Sequence, residues 1–485
     1  MFECVEWASK VLMDNQKQKK VTIGGKTRPI VKVIKTRKQI LAAARSVFSR
    51  QPFASASIRT IETEGKFNHS AIYYHFKTKS MLFEEVVAEI YEECLAFSIE
   101  ILNGLGRESL REDLSGAIDR LFYFFSHKSD ILKILMLNIG ETKCADEMAD
   151  GFRYFKKYNE TVYMLFHQNH PFQATQRTVN MWISAFITLI ANYLGSPALF
   201  RQSLCMDSKD AEYRVFIKES LMLIFYAPLK ALFYPSAYPA GRTSGCKRNK
   251  LMIPKKRSSH RLGNQPMSVS KGDVSRTRIL DVARSVFART PYNAASIRMI
   301  GDAGDFEFPL LYHYFPTKAD LFEAVVKDIF DELSFFAQNI IVETKEDSIQ
   351  DSLSVWINSV VDYFWSHPTG LNVCMQNVAQ INSLDDFPGT HYILDAIAVA
   401  LATYQLADIQ ANDEIRKIIY GMGAIVINFL GAPAFHGSIL NMDPKSPRYK
   451  RWVKDMLMFV FYPSIKAHVI KWSAQYADKD LFFAG

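Results

Sequence analysis

Residues 68–79 concentrate side chains that form hydrogen bonds or carry a positive charge. The segment reads "NHSAIYYHFKTK" from Asn68 and contains no acidic residue. Imidazole, hydroxyl and phenol groups donate and accept hydrogen bonds, and an ammonium group attracts anions. The segment therefore has the chemistry of a binding surface for polar or anionic groups.

An altered copy of this segment lies 239 residues further along the chain. Phe48 corresponds to Phe287 (287 − 48 = 239), and the stretches beginning at Ile40 and Ile279 align without a gap over 48 residues, roughly half of them identical. Self-similarity at a fixed offset indicates an internal repeat. The chain therefore carries the same module twice.

A longer helix precedes the polar segment in each copy. Ile40, Leu41, Ala44, Val47 and Phe48 form the one-sided apolar stripe of a helix that faces a core. A hydroxyl residue is expected to cap its start. The candidate is Thr36 in the first copy and Ser275 in the second.

Turn signals then predict two short helices. In each copy a proline ends the long helix, a serine caps the next one and a glycine closes it: Pro52, Ser57 and Gly65, then Pro291, Ser296 and Gly304. Asn68 can cap the last helix of the first copy. Packing through Phe48, Ile61, Phe67 and Phe76 would make a helix-turn-helix, whose final helix fits a DNA major groove.

Four motifs stand in the same order in both copies. They are "IL..AR.VF", "S-I-R-x-I", "Y-[YH]-[HY]-F-x-T-K" and "LF". Together they resemble the N-terminal DNA-binding domain of the tetracycline-repressor (TetR/AcrR-like) family of bacterial regulators, over about fifty residues per copy. The resemblance implies an all-α chain in which a helical ligand-binding and dimerisation domain follows each DNA-binding domain. It also implies a double-stranded DNA operator as partner and no cofactor.

The repeat extends to the end of each unit. "NYLGSPALF" from Asn192 matches "NFLGAPAFH" from Asn428, an offset of 428 − 192 = 236, and Phe225-Tyr226 matches Phe461-Tyr462. We therefore expect two complete regulator subunits fused head to tail, as a monomeric single-chain pseudo-dimer in which assembly of two chains remains open. The expected domains are a basic arm (1–35), helix-turn-helix domains (36–80 and 275–319), regulatory domains (81–234 and 320–473), a basic linker (235–274) and a tail (474–485).

Positive charge is concentrated in the two segments that precede the helix-turn-helix domains. Residues 1–38 hold ten Lys/Arg against three acids, and residues 235–274 hold nine against one, in a chain of net charge +8. Such arms could follow phosphates or enter a minor groove. The alternative is a solvated linker with ordinary lysines.

Composition and targeting signals favour a cytoplasmic protein, and the resemblance implies a bacterial, nucleoid-associated one. The longest apolar runs, from Met181 and from Gly421, fall short of the roughly 18 residues of a membrane helix and occupy equivalent places in the copies. They are therefore expected to be subunit-interface helices, with no membrane contact. The start of the chain lacks signal-peptide features. Six cysteines without metal-ligand spacing indicate reduced thiols and no metal site.

The resemblance implies which residues face DNA. In the first copy they are Ser57 and Arg59 as backbone anchors, His69, Ser70 and Tyr73 towards the groove, and Tyr74, His75 and Lys79 towards phosphates. In the second copy they are Ser296, Arg298, Phe308, Leu310, Tyr312, His313, Tyr314 and Lys318. Phosphate contacts position a protein, whereas groove contacts specify sequence. The alternatives are a partly buried Tyr73 and a His75 that only caps a turn.

The second copy departs from the pattern in its last helix. Glu307, Phe308, Pro309 and Leu310 replace Asn68, His69, Ser70 and Ala71, and two further acids, Asp302 and Asp305, precede them. Phe308 or Leu310 could contact thymine methyl groups, or the half-site could be read by shape or hardly at all. The two halves are therefore expected to recognise different sequences.

Aromatic and Met residues of the larger domains suggest a site for an apolar or amphipathic effector. The candidates are Phe122, Phe125, Met136 and Trp182 in the first copy, and Phe364, Trp365 and Met375 in the second. Stripes at helical spacing are more often core than pocket. His127 and His367 follow Ser at predicted helix ends, where a capping role is expected.

The sequence predicts a regulator rather than an enzyme. It shows no phosphate loop, zinc spacing, nucleophile elbow or recurrent carboxylate pair. The expected function is an effector-responsive repressor that binds an asymmetric operator. The alternative is a ligand-binding or protein-interaction scaffold derived from such a regulator, with DNA binding partly lost.

Overall fold

The computed structural model describes residues 20–23, 26–105, 109–139, 153–169, 174–196, 206, 210–234, 271–341, 349–378, 388–389, 391–392 and 413–476. The predicted linker over 235–274, apart from residues 271–274, lies outside these ranges, as do the start of the predicted arm and the end of the predicted tail. Cys4, Cys144, Cys205 and Cys246 lie outside them as well. The predicted all-α class is confirmed, since helices dominate the described residues.

The first half begins with a short antiparallel hairpin, β1 (Lys20–Ile23) and β2 (Lys26–Pro29), in which Lys20 pairs with Pro29. The helices that follow are α1 (Ile30–Phe48), α2 (Ile58–Gly65), α3 (His69–His75), α4 (Lys79–Gly104), α5 (Leu110–His127), α6 (Ser129–Ile139), α7 (Arg153–Asn169), α8 (Gln176–Gly195) and α9 (Ala211–Phe233).

The described residues of the second half repeat the order of α1 to α6, α8 and α9. Its helices are α10 (Lys271–Phe287), α11 (Ile297–Gly304), α12 (Phe308–Tyr314), α13 (Lys318–Ile341), α14 (Ile349–Ser366), α15 (Thr369–Val378), α16 (Asp413–Gly431), α17 (Pro433–Leu440) and α18 (Pro447–Tyr476).

The chain divides into two compact units. The first comprises Met1–Cys94 and Met148–Phe155 and holds the first helix-turn-helix. The second comprises Leu95–Glu147 and Lys156–Gly485, and so includes the second helix-turn-helix and both larger helical regions.

The long helix of each helix-turn-helix starts earlier than its sequence signal indicated. Helix α1 begins at Ile30 and helix α10 at Lys271, so Thr36 and Ser275 lie inside helices and the predicted caps are wrong. In the first copy Pro29 marks the boundary, because proline fixes φ and lacks the N–H that a preceding helical turn would need. A hydroxyl residue is tolerated inside a helix and is the weaker signal of the two.

Four long helices of the second unit form its central core. Helices α8 and α9 from the first half pack against α16 and α18 from the second. Asn192 and Asn428, which are equivalent in the repeat, meet in this core, where Asn428 Nδ2 donates to Asn192 Oδ1 at 3.0 Å. A residue that meets its own duplicate lies on a local two-fold axis. The predicted single-chain pseudo-dimer is therefore present in this bundle.

The apolar runs singled out in the sequence lie in the same bundle. Helix α8 is long and apolar enough to cross a membrane, and so is the pair α16 and α17, which is bent by 85° at its break. Most of the apolar window of α8 is buried within the protein. Packing between the two halves accounts for the apolar character of both runs.

Candidate DNA-binding interface

The first helix-turn-helix is built on a small aromatic core. Phe48, Ile61, Ile72 and Phe76 are buried, and the Phe48 ring meets the Phe83 ring edge-on at 5.0 Å. This core fixes α2 and α3 against α1, so that the opposite faces of the two short helices remain exposed.

Side-chain caps define the starts of the two short helices, as predicted. Ser57 Oγ accepts from the Thr60 backbone N–H at 3.1 Å, and Asn68 Oδ1 accepts from the Ala71 N–H at 2.9 Å. In the second copy Ser296 Oγ accepts from the Met299 N–H at 3.2 Å. Each cap satisfies a backbone donor that the helix itself leaves without a partner.

The turn between the two short helices needs its glycine for packing. Helix α2 ends at Gly65 as predicted, but the left-handed residue is the next one, Lys66, with φ of 53°. A Cβ on Gly65 would overlap the ring of Phe67. The second copy repeats this arrangement with Gly304, and Asp305 takes the left-handed conformation.

Helix α3 presents a polar, aromatic face to solvent. His69, Ser70 and Tyr73 are exposed and lie on one face at spacings of one and four residues, while Ile72 points into the core. Tyr73 is therefore not part of the core. Tyr74 is also exposed, and His75 is half-buried.

The other predicted contacts of the first copy lie at the start of α2. Ser57 and Arg59 are exposed there. Ser46 of α1 and Arg50, two residues after the end of α1, hold the exposed end of α2, since both bond to the carboxylate of Glu64 at 2.7 Å. The hydrogen bond from Arg50 and then that from Ser46 lower the pKa of Glu64 below its ordinary value.

Sequence reasoning missed Glu62, which holds the first residue of α3. Its carboxylate bonds to His69 Nδ1, and the His69 ring also lies 4.6 Å from the Tyr73 ring. Glu62 and His69 lie seven residues apart on two helices with a turn between them. The spacing rules that pair residues on one helix therefore do not pair these two.

The lysines predicted to contact phosphates are engaged with the protein itself. Lys79 Nζ donates to the carbonyls of Phe53 at 2.7 Å and Ala56 at 3.0 Å. Lys318 Nζ does the same with Tyr292 at 2.9 Å and Ala295 at 3.1 Å. Each ammonium also lies over the aromatic ring of its loop, at 4.4 and 4.3 Å. Both lysines thus hold the loop before the second helix, and phosphate contact by either remains a prediction.

The second helix-turn-helix presents an apolar face instead. Phe308 is 43% exposed and Tyr312 is 52% exposed, four residues apart on the outer face of α12. Pro309 in the first turn is compatible with the helix, as expected. Leu310 and Tyr314 are half-buried against the core, so they offer less to a groove than the sequence suggested. His313 is exposed.

Charge on the second copy differs from that on the first. Asp302, Asp305 and Glu307 are all exposed, where the first copy has Thr63, Lys66 and Asn68. Arg298 and Asp302 approach each other at 3.9 Å, but both are so exposed that water weakens their attraction. Ser296 and Arg298 remain available at the start of α11.

The candidate effector residues lie among packed helices of the second unit. Trp182 stacks on Phe186 at 4.6 Å, and its Nε1 donates to the Phe225 carbonyl at 3.1 Å. Phe122, Met136, Phe364 and Met375 are buried, and Phe125 and Trp365 pack against the core. All seven have structural contacts, so an effector cavity lined by them remains a prediction.

The two histidines at helix ends have the capping role that the sequence predicted. His127 Nδ1 bonds to the Tyr123 carbonyl at 2.8 Å, and His367 Nδ1 bonds to the Tyr363 carbonyl at 3.0 Å. Each imidazole thus serves one of the carbonyl groups near the C-terminus of its helix.

The chain thus contains two helix-turn-helix domains, one in each half, and the larger helices of the two halves pack together in one bundle. The family model described as "Bacterial regulatory proteins, tetR family" matches residues 40–86 and 279–325. The chain thus carries twice, once in each half, the DNA-binding domain that this family model describes.

Two bacterial regulators are similar to parts of the chain. The uncharacterized HTH-type transcriptional regulator YdgC of Bacillus subtilis is 28% identical over 105 residues, which are 21% of this chain and 54% of YdgC. The HTH-type transcriptional repressor NicS of Pseudomonas putida is 44% identical over 57 residues, which are 12% of this chain and 27% of NicS. The chain thus spans about half of YdgC and about a quarter of NicS.

A solved structure, Salmonella enterica GusR, is similar with a TM-score of 0.29 and 18% sequence identity. The likeness covers 40% of this chain and 98% of GusR.

Proposed function

We propose that the chain is an effector-responsive repressor that binds an asymmetric DNA operator as an intramolecular pseudo-dimer. The observation that carries the proposal is the pairing of two halves, within one polypeptide, that bear unlike recognition helices. A homodimer reads a palindrome because its recognition helices are identical. This chain has His69 and Ser70 in one recognition helix and Phe308 and Pro309 in the other.

Contacts between the halves support pairing within one chain. Arg177 of α8 bonds to Asp455 of α18 at 2.5 Å, and Lys417 of α16 bonds to Glu219 of α9 at 2.6 Å. The two acids are equivalent (219 + 236 = 455), but the two cations are not, since 177 + 236 = 413. The halves therefore meet through surfaces that are no longer alike, and the chain should be a monomer.

Each recognition helix suits a different half-site. The first offers hydrogen bonds from His69 and Ser70 to base edges. The second offers the rings of Phe308 and Tyr312, which suit thymine methyl groups, while its three acids weaken its attraction to phosphates. We therefore propose one sharply defined half-site beside a weaker, T-rich one.

Direct bonds join the regulatory helices to the second helix-turn-helix and support an effector response. Glu332 of α13 accepts from Arg284 of α10 at 2.5 Å and from the Tyr363 hydroxyl of α14 at 2.6 Å. Asn377 of α15 accepts from the Tyr292 N–H in the loop before α11 at 2.7 Å. A ligand that shifts α14 or α15 would thus alter the DNA-binding domain. We also propose that the chain acts as a repressor and that it lies in the cytoplasm. The similar protein NicS is named as a repressor, which supports the first of these.

Selection of binding sites from a random DNA library tests the proposal with the full chain. We expect two unlike half-sites whose centres lie about one helical turn apart. A symmetric palindrome with equally sharp halves would refute the asymmetric reading. Light scattering should give a mass near 55.4 kDa at all concentrations. A constant mass of twice that value would instead indicate pairing between chains.

A second function, a protein-interaction scaffold, is favoured by one observation. Phe308, Tyr312 and Met299 are exposed beside three acids, which is an unusual surface for a DNA partner. A gel shift with random genomic fragments over a range of salt concentrations separates the two functions, because a regulator must show tight sites above its salt-sensitive background. Uniform weak binding to all fragments would favour the scaffold.

A further inference from the structure

We infer that Glu62 is a positioning residue that determines which base His69 reads in the major groove. This inference rests on the proposed function, since it assumes that α3 enters DNA. Glu62 lies on α2, on the other side of the turn, and its carboxylate reaches the first residue of α3. Its side chain is 18% exposed, whereas that of His69 is 67% exposed. One end of the imidazole is thus anchored and the rest faces solvent.

The anchor selects one tautomer of the ring. A carboxylate only accepts hydrogen bonds, so Nδ1 of His69 must carry the proton that Glu62 accepts. In the neutral ring the outward nitrogen, Nε2, is then an acceptor. The ring of Tyr73 at 4.6 Å limits its movement on a second side. Among the described residues, the side chains of Glu62 and Tyr73 contact this ring.

A fixed acceptor distinguishes between bases. In the major groove, adenine N6 and cytosine N4 are hydrogen-bond donors, whereas guanine N7 and O6 and thymine O4 are acceptors. A His69 held by Glu62 should therefore prefer adenine or cytosine. A ring without that anchor can place its proton on either nitrogen, and it then loses the distinction.

In the second copy, residues of other types occupy the two equivalent positions. The equivalent of Glu62 is Gly301 (62 + 239), and the equivalent of His69 is Phe308 (69 + 239). A Cβ on Gly301 would lie 3.2 Å from Cε1 of Phe308, so the phenyl ring packs over this glycine. In both copies the residue on the second helix supports the first residue of the third, by a hydrogen bond in one and by contact in the other. The two positions therefore act together.

The test measures base preference with the full chain at pH 8, where histidine is normally uncharged. The unmodified protein should prefer adenine or cytosine at one position by about tenfold in Kd, as expected for one good base contact. Glu62→Ala should reduce that preference to less than about threefold, while affinity for random DNA changes little. Glu62→Gln should also reduce it, because the amide can either accept from Nδ1 or donate to it and so does not select one tautomer. Thr63→Ala, at the next, exposed position, is the matched control and should leave it unchanged.

A gain of function in the second copy completes the design. The double variant Gly301→Glu with Phe308→His should create an adenine or cytosine preference at the second half-site, whereas Phe308→His alone, which lacks the carboxylate, should not. Unchanged base preference in Glu62→Ala would overturn the inference. So would an equal loss of affinity for all sequences, because that would be a purely structural effect.

A measurement without DNA separates failure of this inference from failure of the proposed function. Nitrogen NMR of labelled imidazoles at pH 8, with His69 assigned by comparison with His69→Ala, should show the Nδ1-protonated tautomer. In Glu62→Ala it should shift towards the Nε2-protonated form. The same tautomer in both proteins would refute the role of Glu62, whether or not the chain binds DNA. The expected shift with no sequence-specific site would instead refute the proposed function and, with it, base reading by His69.

Discussion

Replacing Lys417 by methionine should destabilise the bundle that joins the two halves. The side chain of Lys417 is only 5% exposed and binds two carboxylates, Glu219 at 2.6 Å and Asp413. Burial by itself would lower the pKa of Lys417, but the hydrogen bonds with Asp413 and Glu219 raise it above its ordinary value. Methionine stands at the equivalent position of the first half, Met181 (181 + 236 = 417), so the bundle accepts its shape.

The size of the effect follows from the exposure of the partners. Removing one member of a fully buried ion pair costs about 3–5 kcal/mol, because a buried charge is left alone. The side chains of Asp413 and Glu219 are 49% and 57% exposed and can rehydrate. Arg416 also stays bonded to Asp413 at 2.8 Å. We therefore expect a loss of about 1–2 kcal/mol in the free energy of unfolding.

Urea titration followed by circular dichroism measures this loss, and a double-mutant cycle with Glu219→Gln isolates the pair. Lys471→Met is the control, since this lysine is well exposed in its pair with Glu414 and should cost less than about 0.5 kcal/mol. The pKa of Asp413 is lowered because its hydrogen bonds to Lys417 and Arg416 outweigh burial. The stabilisation that the ionised Asp413 contributes to the folded state should thus persist at neutral pH and disappear as pH falls below about 4. A Lys417→Met protein as stable as the parent would refute the reasoning.

Three further predictions concern stability and binding. Gly65→Ala should destabilise the first helix-turn-helix by about 1–3 kcal/mol because a Cβ overlaps the Phe67 ring, whereas Gly423→Ala, with open space around it, should be neutral or stabilising in the same urea titrations. Burial lowers the pKa of His436 to about 3, so the unfolded chain binds a proton that the folded chain does not. The free energy of unfolding should therefore fall from about pH 6.5 downwards, and it should fall less in the His436→Phe protein. Lys79→Ala should weaken binding to all DNA sequences about equally in gel shifts, and a changed sequence preference would contradict this.

Local signals in the sequence predicted the parts of the site that depend on neighbouring residues. The caps at Ser57 and Asn68 each involve a backbone N–H three residues away, and the helix end at Gly65 precedes an aromatic residue two positions later. Such contacts are set by local chain geometry, so spacing is enough to find them. Thr36 failed as a cap because Pro29 gave a stronger local signal upstream.

Contacts between distant residues could not be predicted in this way. Lys79 bonds to a loop 23 to 26 residues earlier, and Arg177 bonds to a residue 278 positions away. Helical periodicity in the sequence predicts on which face of a helix such residues lie. It does not predict which part of the chain packs against that face. The Asn192–Asn428 pair is an exception in principle, because a residue on a two-fold axis must meet its own duplicate.

Fusion of the two halves explains how their interface could become unequal. In a homodimer every substitution appears twice, so a change must suit both sides of the axis at once. Here Asp413 occupies the position equivalent to Arg177, which bonds to Asp455. Asp413 bonds instead to Lys417 of its own helix, which also binds Glu219 of the first half.

The two sides of the interface thus use cations from different positions, because Arg177 meets Asp455 and Lys417 meets Glu219. The two recognition helices can likewise change independently of each other. A change from histidine to phenylalanine at the first residue of one helix leaves the other helix intact, and its supporting residue can change with it, as Gly301 under Phe308 shows. One chain can thus keep a recognition helix that offers hydrogen bonds while its duplicate changes to apolar contact. That difference is the physical basis for expecting an asymmetric operator.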